Sequence, residues 1–175
     1  MTEYRRGLIA SRKNLWIARI AAERFLRCAS DDHDGLLLYG GSFFVFLRSA
    51  LFALKESDGR DDARLKTISD TYFNTHIKPS DVYKAINAER QGIAHGNDSY
   101  ALHPFKPQGL LDRADVQYGI AWDEIVFEDT WPFPPLRGQA VSDVINIFWR
   151  QVSNWLDEID ILDEQDWKAK FGEQV

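Results

Sequence analysis

The sequence has little that could cross-link a fold covalently or bind a metal. Its 175 residues include one cysteine, Cys28, which excludes an internal disulfide and a cysteine zinc site. Four histidines are present, and none forms a His-x3-His or His-Glu-x-x-His spacing. The chain also lacks a glycine-rich phosphate loop and a Gly-x-Ser-x-Gly nucleophile motif. We therefore expect neither a metal nor another cofactor.

Long hydrophobic runs are also missing. No apolar stretch approaches the roughly 18 residues of a membrane span, because Arg48 interrupts the longest one. The N-terminus lacks the compact apolar core and small-residue cleavage site of a signal peptide. With 45% hydrophobic and 27% charged residues, the composition is typical of a globular protein. These features predict a cytoplasmic protein with one domain over residues 1–175 and no membrane partner.

Positive charge is not in excess over the whole chain. The net charge of −6 argues against a protein coated in positive charge for nucleic acid. Its distribution is uneven, because residues 1–27 carry seven basic and two acidic groups, whereas residues 151–175 carry seven acidic and two basic ones. Either two helix faces of opposite sign lie near each other in the fold, or the basic helix attracts a polyanion while the acidic segment meets a basic partner.

The spacing of apolar residues predicts an all-α protein. Steps of three and four residues, typical of one buried helix face, predict helices over residues 3–29, 36–55, 63–77, 81–95 and 139–162. Residues 99–138 contain five of the six prolines and predict a long irregular insertion before the last helix. Residues 163–175 are expected to form an acidic C-terminal tail. The predicted fold is therefore an antiparallel bundle of four to five helices with one long insertion.

A polar cluster stands out in the fourth predicted helix. At about 100° per residue, Asn87, Arg90, Gln91 and His95 share one broad face of this helix. The apolar residues of the same helix lie just beside that face and are expected to dock it into the core. The cluster is therefore predicted at the edge of the buried stripe, where a cleft or a partner surface could meet it.

The spacing Arg90-x4-His95 near a helix end resembles the signature of the HEPN superfamily (higher eukaryotes and prokaryotes nucleotide-binding domains). The order of helices is similar too, with a long basic first helix, an apolar second helix and an amphipathic closing helix, over roughly residues 3–98 and 139–162. Members with an intact motif are typically metal-independent ribonucleases, often toxins of toxin–antitoxin pairs or phage-defence effectors. They commonly dimerise so that two motifs face each other across one cleft. The resemblance thus implies a homodimer with an RNA substrate.

The resemblance also implies roles for individual residues. Arg90 would bind the scissile phosphate and stabilise its developing charge. His95 would move a proton to or from the attacking 2′-hydroxyl or the leaving 5′-oxygen. Gln91 stands where active members usually have Asn, Asp or His, and it keeps an amide for hydrogen bonding. We assign Gln91, Asn87 and Arg48 to substrate binding, with a salt bridge to an acid as the other interpretation of Arg48.

Other interpretations of the motif and of the chain stay open. Arg90 could cap carbonyls or pair with Glu89 or Asp98, and His95 could be favoured by the helix dipole. The chain could be a non-catalytic HEPN-like module that binds a nucleotide or a partner protein, such as a nucleotidyltransferase or an antitoxin. It could also be a helical interaction protein whose insertion at residues 99–138 makes the contact. A homodimer is expected on separate grounds, because the wide apolar stripe of the second helix and the aromatic segment 99–138 leave more apolar surface than one small bundle needs to expose.

Overall fold

The computed structural model describes residues 7–28, 33–94 and 141–172, and within these segments the chain is helical with no strand. The helices are α1 (Ile9–Phe25), α2 (His33–Ala53), α3 (Ala63–Tyr72), α4 (Asp81–Ala94) and α5 (Val141–Phe171). Single π-helical segments, Leu54–Asp58 and Phe73–Ile77, extend α2 and α3. The predicted all-α fold is confirmed, while the predicted insertion at 99–138 lies outside the described residues.

Contacts between early residues of one helix and late residues of another show that α1 and α2 are antiparallel. The Asn14 side chain donates to the Ser49 carbonyl (3.4 Å), whereas Arg24, ten residues later in α1, lies over the ring of Tyr39 in α2. Helix α5 is antiparallel to α1 in the same way, because Arg12 contacts Asp160 at one end. Further along α1, the Leu15 carbonyl accepts a hydrogen bond from the indole N–H of Trp149 (3.3 Å), which comes earlier in α5 than Asp160. Helix α4 packs mainly against α2.

One apolar core joins the five helices. The rings of Phe43 and Phe44 meet edge to face at 5.1 Å, and Phe44 meets Phe148 of α5 at 5.9 Å, arrangements that aromatic pairs favour. The largest fully buried side chains are Phe25, Phe43, Phe148, Leu8, Leu47, Leu51, Leu54, Leu65, Ile77, Ile86 and Leu156. Helix α2 contributes Phe43, Leu47 and Leu51, and its π-helical extension contributes Leu54.

The central helix is long and apolar enough, by length and composition, to be a candidate membrane span. The segment concerned is Leu38–Asp58, and half of it is buried inside the bundle. The buried half includes Phe43, Leu47 and Leu51, each of which is fully enclosed by other helices. A core helix of a globular protein has the same length and composition, so this segment is weak support for a membrane span.

Helix α1 begins later than predicted because a distant side chain binds its first turn. The helix starts at Ile9 instead of residue 3 and ends at Phe25 instead of residue 29, with Gly7 and Leu8 outside it. The carboxylate of Asp58 accepts hydrogen bonds from the amides of Ala10 (2.7 Å) and Ser11 (2.9 Å). A carboxylate at this position satisfies free amides and interacts favourably with the positive end of the helix dipole. The helix start is therefore set by a contact across more than forty residues of sequence.

Helix α5 is longer than predicted. The expected acidic tail from residue 163 is helical as far as Phe171, because its carboxylates are bound to other groups. Asp163 is buried and forms an ion pair with Arg64 of α3 (2.6 Å), and Asp166 pairs with Lys170 one turn later (3.0 Å). The hydrogen bond from Lys170 lowers the pKa of Asp166. Asp163 therefore joins this part of α5 to α3, while Asp166 is paired with a lysine of its own helix.

The uneven charge distribution is accounted for in part by contacts between α1 and α5. Arg12 bridges Asp157 (2.7 Å) and Asp160 (2.5 Å). Burial disfavours the charged guanidinium, but the hydrogen bonds to Asp160 and Asp157 outweigh it and raise the pKa of Arg12. Of the two interpretations of the charge pattern, this contact supports helix faces of opposite sign that lie together in the fold.

Candidate functional site

A surface cleft of about 400 Å³ separates the outer faces of α2 and α4. It is lined by Val45, Arg48, Ser49, Phe52, Asn87, Arg90 and Gln91. Four of the five site residues chosen from the sequence therefore lie around one cavity, although Arg48 is about forty positions away from the other three in the chain. The packing of α2 against α4 brings these residues together, and this packing could not be predicted from their spacing in the sequence.

Local sequence determines how α4 presents its polar face. The Ser80 hydroxyl accepts a hydrogen bond from the Tyr83 amide (3.1 Å) and so caps the start of the helix. Ala85 and Ile86 are fully buried and fix the helix against the core. Arg90 and Gln91, about one turn further along, are exposed, with Arg90 beside the buried stripe and Gln91 further round the helix. The 3.6-residue period thus places them on the cleft.

Arg48 is held by an amide and two aromatic rings. Its Nε donates to the Asn87 side-chain oxygen (3.1 Å). Its guanidinium carbon lies 5.7 Å from the ring centroid of Phe52 and 5.5 Å from that of Tyr83, within the range of cation–π attraction. In the part of the chain that the structure describes, Arg48 forms no salt bridge to an acid. Among these residues its partner is the Asn87 amide, and the salt bridge to an acid stays an alternative for the residues outside the described segments.

The described lining of the cleft carries positive charge. Neither Asp nor Glu is among its described lining residues, which include two arginines. Across residues 7–28, 33–94 and 141–172, no ion pair joins Arg90 to Glu89, and the side chain of Glu89 is fully buried. The alternative partner Asp98 lies outside the described residues. Two guanidinium groups around one cavity repel each other, so an anion that bridges them would be bound favourably.

His95 is the fifth predicted site residue and follows α4 directly in sequence. The described part of the helix ends at Ala94, so His95 lies outside it. Its predicted place beside Arg90 therefore stays a prediction. Among the described residues, no group of three or more His, Cys, Asp or Glu side chains is arranged to hold a metal ion.

Three lining residues escaped the sequence analysis: Val45, Ser49 and Phe52. They sit in an apolar helix whose other phenylalanines are mostly core residues, so composition did not distinguish them. A signal was nevertheless present, because Phe52 follows Arg48 by four residues and must share its helix face. The charged Arg48 marked that face as the one at the protein surface.

A second groove lies between α3 and α5 and has a volume of about 340 Å³. At its wall the Tyr72 hydroxyl donates to Glu158, and the ring of His76 packs against Tyr72 at 4.7 Å. Burial, together with the hydrogen bond to Glu158 and its charge, raises the pKa of Tyr72. Tyr72 thus stays protonated and joins two helices, which is a structural role.

No protein-family model, curated protein or solved structure matches this chain. The function of this chain must therefore be inferred from the residues of the cleft and from the resemblance of the motif that contains Arg90.

Proposed function

We propose that this chain is a HEPN-like, metal-independent endoribonuclease and that it acts in the cytoplasm as a toxin or phage-defence effector. The observation that carries the proposal is the cleft that unites Arg48, Asn87, Arg90 and Gln91, with two guanidinium groups and no carboxylate among its described lining. These residue types suit a phosphodiester, which is an anion with several hydrogen-bond acceptors.

In the proposed reaction, the 2′-hydroxyl of RNA attacks the adjacent phosphorus and displaces the 5′-oxygen of the next nucleotide. The products are a 2′,3′-cyclic phosphate and a 5′-hydroxyl, and the net proton transfer runs from the 2′-oxygen to the 5′-oxygen. Arg90 contacts the phosphate oxygens and stabilises the charge that grows on them in the transition state. His95 carries the proton, since an imidazole can both accept and donate a proton in general acid–base catalysis.

The amides and the second arginine hold the substrate in this proposal. Arg48 is fixed by Asn87 (3.1 Å), so its remaining N–H groups are oriented before a ligand binds. Gln91 is exposed at the same cleft and can donate to or accept from a ribose or a base. A second copy of the chain is the proposed partner that completes the cleft, and an antitoxin is the proposed inhibitor.

The experiment that tests this proposal combines product analysis with a charge-matched control. Wild-type protein in EDTA should cut a labelled single-stranded RNA and leave 5′-hydroxyl ends and cyclic phosphates. Arg90→Ala should abolish cleavage, because it removes the group that stabilises the transition state. Lys84→Ala should retain it, because Lys84 is an exposed cation of the same helix that pairs with Asp81 (3.0 Å) and lies outside the cleft. Equal losses in both variants would contradict the proposal.

A second function is favoured by one observation, the glutamine at position 91. Active HEPN-like members usually have Asn, Asp or His there, and the longer side chain of Gln91 has more rotamer freedom. In this second proposal the chain is a non-catalytic HEPN-like module, and the cleft binds a nucleotide or a partner protein such as a nucleotidyltransferase. A Gln91→Asn variant separates the two, because a gain of cleavage from an inactive wild type would show that Gln91 had blocked catalysis.

A further inference from the structure

Phe52 is an exposed aromatic ring at the wall of the cleft. It is 52% exposed, whereas its neighbours Leu51 and Leu54 on the same helix are fully buried. Folding therefore leaves a large part of this apolar side chain in contact with water, which is unfavourable by itself. An aromatic side chain in such a position is available to a ligand with a flat apolar face.

The charges beside this ring indicate which ligand fits. The guanidinium of Arg48 lies 5.7 Å from the Phe52 ring centroid, and Arg90 lines the same cleft from α4. Within the described residues neither arginine forms a salt bridge with a carboxylate. The cavity thus presents a half-exposed ring with the Arg48 guanidinium over it and Arg90 in the same lining, in a protein whose net charge is −6. Proteins that bind single-stranded nucleic acid combine aromatic stacking with cationic groups along the backbone in this way.

We propose that Phe52 is the base-stacking subsite of this cleft, and that it binds one unpaired base of a single-stranded RNA. Arg48 and Arg90 then hold the phosphate next to that base. The inference deepens the proposed ribonuclease function and rests on it for the choice of RNA. A base inside a duplex has both faces covered by its neighbours, so the subsite selects unpaired nucleotides.

The subsite should tolerate every base and should favour those that stack best. Each base has a flat face that can cover the Phe52 ring, so no strict sequence specificity follows from stacking. Adenine has a larger face than uracil, and hexaadenylate should therefore bind more tightly than hexauridylate. Arg48 is held by Asn87 through a 3.1 Å hydrogen bond, which keeps the distance between the phosphate and the stacked base constant.

The test uses two probes with equal charge and different stacking. Both are fluorescein-labelled six-unit strands that cannot be cleaved, one a 2′-O-methyl hexaadenylate and one an abasic backbone without bases. Fluorescence anisotropy gives Kd for each probe with wild type, Phe52→Ala, Phe52→Trp and Leu38→Ala. Leu38 is a matched control because it lies on α2, is 61% exposed and is not part of the cleft.

We expect Phe52→Ala to weaken binding of hexaadenylate between roughly five-fold and a hundred-fold, the range for loss of one stacked base. The same variant should change binding of the abasic strand by less than about two-fold, since the phosphate contacts remain. Phe52→Trp keeps an aromatic ring and should therefore retain the preference for the strand with bases. Leu38→Ala should bind both probes as wild type does. Equal effects on both probes, or a Phe52→Ala protein that binds hexaadenylate like Leu38→Ala, would overturn the inference.

A parallel cleavage assay on unmodified hexaadenylate separates this inference from the ribonuclease proposal. If wild type cuts the RNA while Phe52→Ala binds hexaadenylate normally, the stacking subsite is wrong and the ribonuclease proposal stands. If wild type binds with the Phe52-dependent preference and never cuts, the subsite stands and the ribonuclease proposal is wrong.

Discussion

Removal of Arg64 should destabilise the fold far more than removal of an arginine at the surface. Arg64 Nη1 lies 2.6 Å from Asp163 Oδ1, and the same nitrogen donates to the main-chain oxygen of Asp163 at 2.8 Å. The side chain of Asp163 is 2% exposed and that of Arg64 is 17% exposed. An Arg64→Ala substitution therefore removes the cation that faces a buried carboxylate, and such losses typically cost about 3–5 kcal/mol.

We place the expected loss near the lower end, at about 3 kcal/mol, because water reaches part of the guanidinium. The assay is urea unfolding followed by far-UV circular dichroism, with a midpoint shift of roughly 1.5 M if the m value is about 2 kcal/mol/M. Arg19→Ala is the control, since Arg19 pairs with Glu23 at 3.0 Å while both side chains are about half exposed. That pair should contribute about 0.3–0.5 kcal/mol.

A double variant identifies the cause of the loss. Adding Asp163→Asn to Arg64→Ala removes the buried negative charge and should recover a large part of the lost stability. If Arg64→Ala costs no more than Arg19→Ala, the ion pair does not stabilise the contact between α3 and α5. If Asp163→Asn destabilises the Arg64→Ala protein further, the buried charge is not the reason for the loss.

Three further predictions concern protonation, assembly and metal dependence. The folded state holds the Tyr72 proton more tightly than the unfolded chain. Its contribution to the free energy of unfolding is therefore complete below the ordinary pKa of 10.0 and is lost as the pH rises above it. In urea titrations at high pH, Tyr72→Phe should lose less stability with rising pH than wild type does. Light scattering should find a dimer at tens of micromolar, and a monomer would contradict the shared cleft. Cleavage should persist in EDTA, and full dependence on magnesium would contradict the proposed chemistry.

The helical architecture was predictable because one apolar period recurs in each helix. The steps of four and three from Ile145 through Val152 to Ile159 predicted the buried stripe of α5, and these residues are buried. The spacing of Asn87, Arg90 and Gln91 likewise predicted a shared face, and all three line one cleft. The helical period was sufficient to predict these features, since residues three or four positions apart share one face of a helix.

Features that depend on distant contacts were not predictable in this way. The start of α1 depends on Asp58, which binds two amides across more than forty residues of sequence. The extent of α5 depends on Arg64, whose position beside Asp163 follows from packing alone. In both cases the deciding interaction joins residues that are far apart in the chain, so no local pattern contains it. Phe52 differs, because its spacing of four residues from Arg48 was a local signal, although the composition of the helix did not distinguish it from the core phenylalanines.

The most direct test of the central claim measures single-turnover cleavage of RNA by wild type, Arg90→Ala, His95→Ala and the double variant. Arg90 is exposed on the cleft, so its truncation removes a charge without opening a core cavity, and circular dichroism should show an unchanged fold. If Arg90 and His95 act in one chemical step, each single variant and the double variant should lose similar activity. Losses that multiply in the double variant would contradict a shared step, and full activity in Arg90→Ala would contradict the claim that this cleft cuts RNA.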